Sequence, residues 1–375
     1  FHEPLLVDII YAYAGISFIN GFYNVGIVDF RKNFRFERDF RFNVFVKVVS
    51  FITTIIVAYY YQSYWAFVFG FFANSIARVF ASHIMIKNKP SFSLKTWHKL
   101  FSFSKWMLSF ELISAIATKL DTFLLSRYST AHALGLYTVS YEISGLPSTE
   151  IAMPIARSLM PGLAKLSSDI KKFSALYLST MSITLLIAVP ATLGVCAMSE
   201  YIALVLLGEQ WKDASSIIKI LAIVGLNRAV FANSIAAFTA YGRPKILTEL
   251  SIINLIFRIL ALLYIAFFCN IEATTIALAV LVSSTLQMIT TLIIQQKYKI
   301  LPIKELFFNC WRIALSSIFM FAIIFHVETT FSTSINLISP SLILFSGIIL
   351  GVFSFLLSIS VLSLASSRMK GPEHD

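Results

Sequence analysis

The sequence predicts an all-α, polytopic membrane protein with eleven transmembrane helices. Three observations carry that prediction. Hydrophobic residues make up 58% of the chain and charged residues 13%, against about 45–50% and about 25% in soluble domains. Apolar runs of roughly 20 residues, the length that crosses a hydrocarbon core, recur along the whole chain. The linkers between them alternate between strongly basic and nearly uncharged, as the two sides of a membrane require. With a mean hydropathy of +0.80, these features exclude a soluble enzyme, a disordered chain and a nucleic-acid-binding domain, because a folded soluble surface needs polar cover.

The runs fall at 5–29, 43–61, 64–86, 105–126, 133–160, 174–198, 214–240, 246–268, 273–295, 313–332 and 340–365. None shows the short alternating segments of a membrane barrel. The second and third meet at Tyr59 to Tyr61, Tyr64 and Trp65, an interfacial aromatic belt. The fifth carries Gly145 and Pro147 between Glu142 and Glu150, and proline in a membrane helix frees backbone groups and permits a bend.

Six linkers, at 30–42, 87–104 with Lys105, 161–173, 241–245, 296–312 and the tail from 366, hold 21 Lys and Arg. The other six, at 1–4, 62–63, 127–132, 199–213, 269–272 and 333–339, hold only 2, Arg127 and Lys212. The positive-inside rule then puts the C-terminus in the cytoplasm and Phe1 outside. An outside start with no signal sequence and no initiator Met is the pattern expected of a chain that lacks an odd number of upstream helices. The outside loops are all short, so the function is expected within or across the bilayer. Cys196, Cys269 and Cys310 are widely spaced, with no CxxC and no metal-ligand cluster with His, and read as inert thiols. No P-loop and no nucleophile–base constellation appears, so neither ATP hydrolysis, enzymatic chemistry nor a cofactor is expected.

The segment GIVDFRKNFRFERDFRF at 26–42 resembles the helix junction rich in Arg and Phe of bacterial oligosaccharide flippases. YWAFVFG at 64–70 resembles the start of their sixth helix. The most specific stretch, 101–147, resembles their seventh and eighth helices: a Phe-Ser entry, a Leu-Asp pair, a short outer loop, then Leu-Gly-x-Tyr, then Pro. Pro161, LGEQWKDA at 207–214 and the Tyr-Gly-Arg-Pro turn at 241–244 continue the pattern. The chain is thereby identified as similar to the polysaccharide-transporter branch of the superfamily that also holds multidrug extruders and the lipid II flippase.

That resemblance implies a two-lobe exporter architecture, with these eleven helices out of an original fourteen. Residues 1–90 would be the second half of the N-terminal lobe, 100–297 the C-terminal six-helix lobe, and 305–375 two additional helices. It implies translocation of undecaprenyl-pyrophosphate-linked oligosaccharide across the bacterial inner membrane. The implied partners are the lipid-linked substrate, membrane lipid, a polysaccharide polymerase and a chain-length regulator, and no nucleic acid. Two alternatives remain: an organic-cation antiporter of the same superfamily, or a membrane polymerase or ligase. The latter needs catalytic residues in a sizeable outer loop, and His132 is the only His in the outer loops between spans here.

Charges within the spans supply the candidate site. Lys47, Arg157 and Lys219 lie near span ends, where long side chains snorkel to the surface. Arg228 and Arg258 lie near the middles of theirs, where a charge costs at least about 2.5–3.5 kcal/mol. Ser251, Asn254 and Arg258 form one polar stripe, since their spacing returns to one helix face. Such a stripe either lines a cavity or packs against another polar helix. The candidate substrate-binding residues are Arg258, Arg228, Lys119, Asn254 and Arg78, expected to face a central cavity between the lobes. Glu142, Glu150 and Asp121 are candidates for ion coupling, or for neutralising the buried cations. A cation-rich interior suits phosphates, whereas a cationic drug would call for an acid-rich one.

Overall fold

The computed structural model describes residues 5–86, 97–332 and 339–369. Residues 1–4, the first part of the basic linker (87–96), most of the loop 333–339 and the end of the C-terminal tail lie outside these. Every regular element among the described residues is helical. The chain divides into two compact units, Phe1–Trp97 and His98–Asp375.

In the first unit, α1 spans Leu5–Asn20, α2 Val28–Lys32, α3 Phe36–Tyr61 and α4 Trp65–Met85. The run expected to be one helix over 5–29 breaks after Asn20. The break is stabilised by Asn24, whose side chain accepts from Gly26 N–H at 2.9 Å. The Asn24 N–H donates to Ser82 Oγ of α4 at 3.0 Å. The helix expected from 43 begins instead at Phe36, inside the basic linker, because Arg31 Nε donates to both Asp39 carboxylate oxygens at 3.0 Å and holds α2 on α3. α3 and α4 pack closely at Gly70, where a Cβ would lie 2.0 Å from Thr54 Oγ1.

In the second unit, α5 spans Trp97–Tyr128 and α6 Ala131–Leu146. A π-helical stretch, Pro147–Ala152, leads into α7, Met153–Lys165. There follow α8 (Ile170–Ala197), α9 (Ser199–Leu206), α10 (Ala214–Ala240), α11 (Pro244–Phe268), α12 (Ala273–Lys297), α13 (Ile303–Ser332) and α14 (Pro340–Met369). Caps set several starts: Thr130 accepts from Ala133 N–H, and Asp169 from Lys171 and Lys172 N–H. The Lys172 N–H, the largest influence, holds the Asp169 carboxyl below the usual carboxylate range. Its core has one cluster around Tyr137, Ile218 and Ile276 and a second around Phe173, Phe238 and Leu247. A third joins Met198 and Tyr201 to Met320 and Leu344, seating α13 and α14 against α8 and α9.

Eight of the described helices, α3, α4, α8 and α10 to α14, are long and apolar enough to cross a membrane, as in a multi-pass membrane protein. The expected eleven is not reached on length and composition. α1 has 16 residues, short of the roughly 20 that a crossing takes. α5 carries Glu111, Lys119 and Asp121, and the expected span 133–160 is divided between α6 and α7. At that division Ser148 Oγ donates to the Gly145 carbonyl at 2.7 Å and Thr149 Oγ1 to the same oxygen at 3.2 Å.

The linkers also sort in space. Ser102, Arg243 and Tyr298, from three basic linkers, line one pocket. Glu200, Lys212 and Glu272, from two weakly charged ones, line another at the opposite end of α12.

Candidate functional site

α5 and α11 run side by side, and the polar stripe of α11 is their seam. Thr248 Oγ1 donates to the Trp106 carbonyl at 2.7 Å, and Ser251 Oγ bonds Ser114 Oγ at 3.0 Å. About two helix turns along the seam, Arg258 Nη1 stands 3.6 Å from Asp121 Oδ2, with side chains 8% and 1% exposed. Tyr137 of α6 donates its hydroxyl to the same carboxylate oxygen, and Asp121 Oδ1 accepts from Thr122 N–H at 2.9 Å. Arg258 therefore meets its counter-charge inside the protein. Two buried atoms of the stripe, Asn254 Oδ1 and Arg258 Nε, have no hydrogen-bond partner.

Arg228 of α10 sits in a different setting. Its guanidinium lies 4.8 Å from the centre of the Tyr141 ring, on α6. Glycines allow the close fit, Gly145 against the guanidinium and Gly225 against the α6 backbone. At Gly145 a Cβ would come within 3.2 Å of Arg228 Nη1, and at Gly225 a Cβ would lie 2.6 Å from the Ser144 carbonyl oxygen. Ser140 and Ser144 of α6 donate to the Ala214 and Ile218 carbonyls of α10 at 3.3 and 3.2 Å. The neighbouring Asn227 donates to Ser284 and Thr285 of α12, both at 3.0 Å. The helices are thus bolted together around a half-buried guanidinium. Among the described residues no carboxylate comes within ion-pair range of it.

The remaining candidates are dispersed. Lys119 is exposed, two residues before buried Asp121 and so on another face of α5. Glu142 and Glu150 are exposed, on either side of the start of the π-helical stretch. Arg78 is exposed on α4, in the first unit. The structure thus brings Arg258 to Asp121, and Arg228 to the glycine between the two glutamates. Sequence reasoning missed Tyr137 and Tyr141. Their i, i+4 spacing on α6 was readable, but the contacts they make are with residues far away in the chain.

The pattern of a family described as "Polysaccharide biosynthesis protein" matches residues 1–216. The chain belongs to that family. Within the polysaccharide biosynthesis family pattern lie Asp121, Tyr137 and Tyr141, while Arg228 and Arg258 fall beyond it. Over 187 residues the chain is 25% identical to the lipopolysaccharide biosynthesis protein WzxC of Escherichia coli (strain K12), covering 49% of this chain and 38% of that protein. It is 28% identical over 155 residues to the teichuronic acid biosynthesis protein TuaB of Bacillus subtilis (strain 168), covering 41% of this chain and 32% of that protein. The chain thus spans about a third to two fifths of the length of these relatives. The fold is similar to that of a solved chain, the lipid II flippase MurJ in an inward closed conformation. The TM-score is 0.63 at 19% identity, covering 84% of this chain and 66% of that one.

Proposed function

We propose that the protein moves undecaprenyl-pyrophosphate-linked oligosaccharide repeat units across the bacterial inner membrane for surface polysaccharide synthesis. Family membership, relatives named for lipopolysaccharide and teichuronic acid biosynthesis, and a flippase-like fold support a lipid-linked substrate. The observation that carries the reading is Arg228. A guanidinium half-buried in an apolar helix, laid on an aromatic ring, keeps its charge for a ligand when no carboxylate answers it. A pyrophosphate offers the oxygen pairs that a guanidinium fork binds bidentately. The same charge opposes a cationic drug as substrate.

In this reading the reaction is movement, with no covalent bond made or broken. Arg228 holds phosphate, and Lys119, Asn254 and Arg78 supply further cationic and polar contacts. Arg258 is assigned a different part: paired to Asp121, it fixes α5 against α11 and acts on the substrate only through that seam. Glu142 and Glu150, on either side of the start of the π-helical stretch, are the carboxylates that would couple an ion gradient to the bend. The segments 1–90, 100–297 and 305–375 act as half of a first lobe, a second lobe and two added helices. The basic linkers face the cytoplasm, and a polymerase and chain-length regulator take the product outside.

The test is Arg228→Ala in a strain with no other copy of the gene. A charged contact of about 1.5–3 kcal/mol corresponds to roughly a tenfold to hundredfold loss of exported polysaccharide, at unchanged protein abundance in the membrane. Arg228→Lys should retain part of the activity, since Lys binds phosphate as a point charge. Full export in the Ala variant would overturn the reading.

A further inference from the structure

A pocket of about 480 Å³ opens at the basic end of the second unit. It is lined by the first residues of α5, the turn from α10 into α11, and the residue following α12. Its side chains pair cations with rings. The Arg243 guanidinium lies 5.2 Å from the Tyr298 ring centre and 5.7 Å from that of Tyr241. Trp106 has the Lys245 ammonium at 5.7 Å and the Lys105 ammonium at 5.4 Å. The α5 backbone beneath the indole is tied to α11, because the Trp106 carbonyl accepts from Thr248. One carboxylate shares the pocket: Glu249, 3.5 Å from Lys245, both exposed. Such a pair is weak, so an incoming anion can take the lysine. Arg243 and Lys105 have no carboxylate in range among the described residues.

We infer that this pocket binds a phosphate-bearing anion, and that at the membrane surface its source is the headgroup of an anionic phospholipid. The arrangement has the two parts an interfacial headgroup meets: guanidinium and ammonium groups for the phosphodiester, and amphipathic rings that sit at headgroup depth. The pocket at the opposite end of α12 has no aromatic ring in its lining. There Glu200, Asp213 and Glu272 surround a single Lys212, which repels an anion. This inference is separate from the substrate reading, since it rests on residues none of which was assigned to transport.

The experiment uses the intact protein purified in a neutral detergent. Thermal unfolding and native mass spectrometry are recorded with added phosphatidylglycerol, phosphatidylcholine or inorganic phosphate. The wild type should retain phosphatidylglycerol and unfold at a higher temperature with it, and phosphatidylcholine should do neither. With about 1 kcal/mol for each basic side chain at a membrane surface, R243Q/K245Q should bind phosphatidylglycerol roughly thirtyfold more weakly. Its unfolding without lipid should match the wild type, and K212Q should bind as the wild type does. A shift reproduced by millimolar inorganic phosphate and lost in R243Q/K245Q would support the site with a soluble phosphate as its source. Equal retention of phosphatidylglycerol by wild type and R243Q/K245Q would overturn the inference, as would R243Q/K245Q losing export while binding lipid normally.

Discussion

Arg258 and Arg228 are both arginines placed near the middle of apolar helices in the same unit, and their surroundings are opposite. Arg258 has a carboxylate 3.6 Å away in a buried seam; Arg228 has an aromatic ring and a glycine, Gly145. The first arrangement cancels a charge and the second preserves one. A buried pair costs desolvation on both partners and its loss leaves the survivor unanswered, so Arg258 is bound to the fold. A half-buried cation on a ring face keeps part of its hydration and all of its charge, so Arg228 is the one we propose for the ligand. Depth in the membrane alone does not separate the two roles. The partner does.

The largest expected effect lies on the paired side. Arg258→Ala leaves Asp121 buried without its cation and should cost about 3–5 kcal/mol, read as a lower unfolding midpoint and loss of protein from the membrane. Replacing both partners with apolar residues of similar size, Arg258→Met with Asp121→Leu, should recover most of that loss, because neither charge is then stranded. If the double replacement is no better than the single one, the seam is not an ion pair in function.

A smaller effect is expected where α6 and α10 touch. Gly225→Ala puts a Cβ at 2.6 Å from the Ser144 carbonyl, a backbone atom that yields only if the helices part. Overpacking of this kind costs about 1–3 kcal/mol, measurable as a reduced midpoint. Gly145→Ala presses instead on the movable end of Arg228. It should leave stability near normal and reduce export, which would show that the guanidinium's position matters apart from the fold.

The smallest is at the ring under Arg228. Tyr141→Leu removes a cation–π contact of about 0.5–2 kcal/mol, while Tyr141→Phe keeps it. Export should fall severalfold in the first and remain near normal in the second. Equal export in both would mean that the ring merely fills space.

Much of the fold was legible because membrane helices are written in composition. The long apolar runs at 174–198, 214–240, 246–268 and 273–295 became α8, α10, α11 and α12 with ends shifted by a few residues. The break at Asn20 was hidden, since the bond from Asn24 to Ser82 joins residues 58 apart. The site was half legible. The α11 stripe followed from helical periodicity, and of its two readings the interhelical one describes Ser251 and Arg258. Which acid met which base was not readable, because the Asp121, Tyr137 and Arg258 cluster assembles from α5, α6 and α11. Local spacing carries no record of such distant partners.

The most direct test of the division between the two arginines is binding of undecaprenyl pyrophosphate to three purified proteins: wild type, Arg228→Ala, and Arg258→Met with Asp121→Leu. The account predicts wild-type affinity in the Met/Leu protein and roughly tenfold or greater weakening in Arg228→Ala, with all three folded. Wild-type affinity in Arg228→Ala together with lost binding in the Met/Leu protein would contradict it, and would make the seam arginine the one that holds the substrate.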